Sequence, residues 1–90
     1  MKMGTDIHIS NDVLAQEVAG ETVLLDLASE SYFGLDAVGT RIWQLLQAGK
    51  AETEVVDTLL GEYAVEREVL EKDVTALLGK LEKAGLIRRG

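Results

Sequence analysis

One histidine, no cysteine and scattered carboxylates are what this sequence offers to chemistry. His8 has the ring nitrogens for proton transfer or metal binding, but no Glu or Asp cluster accompanies it at metal-ligand spacing. Glu52/Glu54 and Glu66/Glu68 are carboxylate pairs of the type used in general acid–base work. Two residues apart on a helix, they do not face one another. They sit near helix starts, where negative charge complements the macrodipole. Ser29 and Ser31 have no base to activate them. Gly34 and Gly39 flank a strand-to-helix passage as in a phosphate loop, yet neither G-x-G-x-x-G nor G-K-[ST] is present. Without cysteine there is no thiolate nucleophile and no disulfide. These residues support no catalytic centre, no metal site and no cofactor.

The elements that would position a site divide into a β-like front and a helical back. Val13 to Val18 and Thr22 to Leu27 read as strands around Ala19-Gly20-Glu21, where Gly20 tolerates positive φ. In the second strand, Val23, Leu25 and Leu27 alternate with Thr22, Leu24 and Asp26, so period two places the first three on one face. Ser29-Glu30-Ser31 forms a turn, and Tyr32 to Leu35 a third strand of β-formers. Ile7-His8-Ile9 is a further short pairing segment. From Asp36, an N-cap residue, the period becomes helical through Val38, Ile42, Leu45 and Leu46 to Gly49. Trp43, off that stripe, reads as an apolar anchor between helices. A second helix runs from Glu52 to Tyr63 and a third from Glu66 to Ala84, ended by Gly85. Leu86-Ile87 is an apolar tail that docks back on the core. The expected class is α+β: a three-stranded antiparallel sheet followed by three helices.

Length and charge narrow the function. Ninety residues suit a single domain over 1–90. A domain of that size buries only roughly 60–65% of its unfolded surface, which leaves little room for a deep catalytic cavity. No stretch approaches the ~18 apolar residues of a membrane span, and Met1 to Ser10 lacks the features of a signal peptide, so the expected location is cytoplasmic. The net charge is −7 with nine basic residues, a poor match to a polyanion, so neither nucleic acid nor membrane is an expected partner.

The segment VLLDLASESYFGLDAVGTRIWQLL, Val23 to Leu46, resembles the PqqD-like family: an apolar strand ending in Asp, a small turn, an aromatic pair before Leu-Asp, then Gly, Ile-Trp and Leu-Leu. EYAVEREVLEKDVTALLGKLEKAGLI continues the likeness with a Tyr, an Asp-Val on the last helix and a closing Gly-Leu. The resemblance covers roughly Val13 to Ile87. It departs from the family pattern at Ala51, where a Thr cap is usual, and at Glu66-Arg67, in place of Asp-Pro.

The resemblance implies a winged-helix-like fold and a RiPP recognition element, a module that captures the leader of a ribosomally made precursor peptide. The wording is nearer the free-standing proteins of lasso-peptide clusters than the pyrroloquinoline quinone branch, which is the alternative. It implies as partners the precursor's leader peptide, a separate leader peptidase and, further, a cyclase. The implied site is an edge strand, Ser31, Tyr32, Phe33, Gly34 and Leu35, with a wall from the last helix, Val69, Leu70, Asp73, Val74 and Leu77. A leader would add there as a strand. A DNA-binding winged helix shares the layout, but its recognition helix would carry Glu66, Glu68, Glu71, Asp73 and Glu82, which disfavours it.

Overall fold

The computed structural model describes residues 7–89. Within them lie β1 (Ile7–Ile9), β2 (Val13–Val18), β3 (Glu21–Asp26), β4 (Ser31–Leu35), α1 (Ala37–Gln47), α2 (Glu52–Leu60), α3 (Arg67–Lys83) and β5 (Ile87–Arg89). This is the expected α+β layout of three antiparallel strands, in the order β2-β3-β4, followed by three helices. One feature is added: β1 and β5 pair antiparallel as a separate two-stranded ribbon, Ile9 opposite Ile87. The apolar tail Leu86-Ile87 thus leads into a strand, and Ile7 to Ile9 is that strand's partner. Gly85, at φ 79°, turns the chain out of α3, and Arg89 ties the ribbon to Glu52 of α2 and Glu82 of α3, both at 3.2 Å. No helix among the described residues is long and apolar enough to cross a membrane.

The β2–β3 hairpin closes on Ala19 and Gly20, both at positive φ (54° and 82°). Two such residues make the turn whose twist matches that of the flanking strands. β3 buries the face opposite to the one its apolar alternation suggests: Thr22, Leu24 and Asp26 point into the molecule, whereas Val23 is 44% exposed. Asp26 is accommodated on that face by the turn that follows. Its carboxylate accepts from Ala28 N–H (3.1 Å) and Ser29 Oγ (2.8 Å), so the buried charge organises the turn into β4.

The helices enclose the core from the other side. Leu24, Val55, Leu59, Val74, Leu78 and Leu81 are fully buried, and Trp43 joins them at 2% exposure. Asp36 caps α1 by accepting Gly39 N–H at 2.8 Å. Ala51 begins α2 without a capping side chain, and Glu54 reaches back to its N–H at 2.9 Å, half of a capping box. α2 stops at Leu60, so Tyr63 lies beyond it, and Glu66 is the N-cap of α3.

Candidate peptide-binding groove

The hydrogen-bond phase of the sheet decides which backbone groups of β4 are free. Leu27 N–H donates to the Asp12 carbonyl at 2.8 Å, so that pair is of the hydrogen-bonded kind. Antiparallel ladders alternate bonded and non-bonded pairs. In the observed register Leu14/Leu25, Gln16/Val23 and Val18/Glu21 are therefore bonded pairs as well. The amides and carbonyls of Thr22, Leu24 and Asp26 must then point toward β4, where Leu35, Phe33 and Ser31 stand opposite them. Tyr32 and Gly34 are left. Their N–H and C=O groups face the open edge of the sheet.

That edge opens on a groove of about 490 Å³. One side is built by Phe33, Gly34 and Leu35 of β4, running on into Asp36, Val38, Gly39 and Ile42 at the start of α1. α3 supplies the other side through Asp73, Leu77 and Lys80. Gly39 is where the two elements nearly touch: a Cβ there would meet Asp36 Oδ1 and Leu35 Cβ at 3.3 Å, tighter than ordinary contact. The floor is apolar and the rim carries charge. An extended chain laid along it would find unpaired backbone groups on one side and aliphatic surface on the other.

Five of the ten residues implied by the sequence line this groove: Phe33, Gly34, Leu35, Asp73 and Leu77. Ser31 and Tyr32 extend the same strand. Tyr32, at 75% exposure, shows its ring on the outer sheet face, beside Leu25. Leu70 and Val74 are 4% and 0% exposed, so they are core and support the wall from behind. Val69, half exposed, lines a more open depression of about 700 Å³ on the adjoining flank of α3, with Glu68, Lys72 and Ala76. All the described lining there belongs to one helix, so it offers no strand edge. Asp36, Val38, Gly39, Ile42 and Lys80 were not anticipated. Val38 and Ile42 are four apart on α1, a spacing that gives one face, and that face serves both core and groove.

Among the described residues no group of His, Asp or Glu is placed to hold a metal ion. His8 sits on β1 opposite Arg88, in the other sheet. The charged groups with displaced titration also stand apart from the groove lining. The Arg41 guanidinium donates to Glu62 and holds that carboxyl below the usual glutamate range, while Arg41 itself is raised. Arg67 is raised by its hydrogen bonds to Asp57 and Glu71.

The family model for coenzyme PQQ synthesis protein D (PqqD) matches residues 21–87. The chain belongs to the PqqD family. Among solved structures, it is similar to one described as TbiB1 in complex with the TbiA(beta) leader peptide, with 43% identity over 90% of this chain and 94% of that one, and a TM-score of 0.86. It is also similar to lasso peptide synthetase B1 complexed with the leader peptide, with 29% identity over 91% of this chain and 96% of that one, and a TM-score of 0.83. No curated protein matches it in sequence. Both similar structures are matched almost end to end.

Proposed function

We propose that this PqqD-family chain binds the leader of a ribosomally made precursor peptide, of the lasso class, as a fourth strand on β4 beside α3. The carrying observation is the conjunction of a free β4 edge with an apolar groove in a chain 43% identical to one described with a leader peptide bound. Tyr32 and Gly34 supply the backbone bonds, Phe33, Leu35 and Leu77 the apolar contact, and Asp73 a charged contact. Ser31 extends the strand, Val69 flanks the wall, and Leu70 and Val74 hold it in place. The chain performs no chemistry. In the cytoplasm, where precursors are translated, it hands its cargo to a separate leader peptidase and then to a cyclase, raising the local substrate concentration. The family model's description favours a second reading, service to coenzyme PQQ synthesis; the likeness to a lasso peptide synthetase component weighs against it.

The test is binding without conversion. Synthetic TbiA(beta) leader, and the leader of the precursor encoded beside this chain, should bind with Kd of about 1 μM or tighter after the ordering cost of a disordered peptide. Their masses should stay unchanged. The peptidase of the same cluster should cleave faster when the chain is added. Absence of binding to both peptides would remove the reading, and equal cleavage rates would remove the delivery step alone.

A further inference from the structure

The α3 wall carries two charges of opposite sign, and leader capture as described uses only the first. Asp73 and Lys80 both line the groove. They lie seven residues apart on a regular helix, which is about 10.5 Å and two turns, so both side chains return to nearly the same azimuth. Three and four residues away along α3, Asp73 has only Val69, Leu70, Ala76 and Leu77, and Lys80 has no acid at those distances. No ion pair joins either to another residue among those described, whereas Arg67 and Glu82 of the same helix are both paired. Asp36 on the facing wall is engaged as the cap of α1.

Backbone bonding at this edge leaves the docked strand under-determined. Among the described residues only Tyr32 and Gly34 present free groups on this edge, and an edge of that kind accepts a strand running in either direction. A slip of one residue reverses which side chains enter the groove. Two opposite charges along the wall break both ambiguities: the reversed direction sets like charges together, and a slipped register leaves the charges without their partners. Same-face residues of an extended chain recur at about 6.8 or 13.5 Å, and the flexible lysine stem spans the difference from 10.5 Å.

We infer that the groove reads the order of two charges in the leader: a basic side chain at Asp73 and an acidic one at Lys80, two or four residues apart. This rests on the leader-capture reading and adds to it a rule for direction and register.

The experiment uses TbiA(beta) leader as host. Every pair of positions two or four apart carries Lys then Glu, or Glu then Lys, so each pair of peptides has one composition. That cancels the general attraction of an acidic protein for basic peptides. Each peptide is titrated by fluorescence anisotropy into the chain and into its Asp73→Lys/Lys80→Asp swap, with circular dichroism confirming the fold. At one placement the unaltered chain should prefer one order by about fivefold, the scale of two partly exposed charge pairs, and the swap should prefer the other. Order preferences within about twofold at every placement, or a preference that the swap leaves in place, would overturn the inference. Tight binding of unmodified TbiA(beta) leader in that case would leave leader capture standing, whereas failure of both that peptide and the leader encoded beside this chain to bind would remove both.

Discussion

β2 and β4 are the two outer strands of one sheet, and they differ in what stands beside them. By the same hydrogen-bond phase, β2 turns the backbone groups of Val13, Ala15 and Glu17 outward, against Tyr32 and Gly34 on β4. The backbone capacity of β2 is the larger. Yet Ala15 and Glu17 are exposed, and Glu17 accepts from Gln44 Nε2 at 3.3 Å in a chain of polar contacts that runs on through Arg41 to Glu62. β4 instead borders Phe33, Leu35, Ile42 and Leu77. Free amides and carbonyls bond water nearly as well as a peptide, so they contribute little net affinity alone. An apolar wall that removes water on docking supplies the difference. On β2 the single charge of Glu17, held by Gln44, stands at the edge, and a charge there guards it.

The sharpest way to break this contrast is with proline at neighbouring positions. Phe33→Pro removes a β3–β4 ladder bond and should cost about 3 kcal/mol, lowering the melting temperature by more than about 10 °C. Gly34→Pro removes an N–H that faces the open edge, and an added Cβ there meets nothing within 4 Å, so melting should change by only a few degrees. Greater destabilisation by Gly34→Pro than by Phe33→Pro would show the hydrogen-bond phase to be the reverse.

Leader affinity gives the next effect in size. Gly34→Pro takes away a bond to the docked strand and should weaken binding of TbiA(beta) leader by about 10- to 30-fold. Ala15→Pro makes the same change on the β2 edge and should move affinity by less than about twofold, since no peptide is held there. Calorimetric titration of the two variants decides it. A comparable loss from Ala15→Pro would place the peptide on β2.

The contrast between the edges was only partly legible in the sequence. Strand and helix positions followed from period and from Asp36, Gly49 and Gly85. The face of β3 did not, because both of its faces carry aliphatic residues and the buried one includes Asp26, whose charge is absorbed by a turn. The α3 wall was legible as a stripe without its azimuth. A step of 100° separates Val69 from Leu70, and nothing local tells which of the two is core. Lys80, near the end of a polar helix, looks like any solvated lysine until the groove brings it opposite β4. The β1–β5 ribbon has three residues on each side, too few for a period to register.

The smallest effect tests whether the two edges are independent. Arg41 grips Glu62 through two nitrogens, Nε at 2.9 Å and Nη2 at 2.7 Å, and steadies Gln44 at 3.2 Å, which in turn reaches Glu17 on β2. The grip favours the ionised carboxylate, so Glu62 titrates below its unfolded value. A depressed carboxylate contributes stability that is present above the unfolded value and is lost as pH falls through the folded one. Arg41→Gln should therefore raise the Glu62 titration toward the ordinary glutamate range in a carbon-detected NMR experiment. It should also flatten the acid limb of the stability profile. Both groups are solvent-accessible, so high salt should mute both changes. Arg41 is absent from the groove lining, and leader affinity should hold within about twofold. A larger fall would mean that α1 transmits strain from the charged side of the sheet to Val38 and Ile42, and that the guarded edge and the receptive one are a single coupled device.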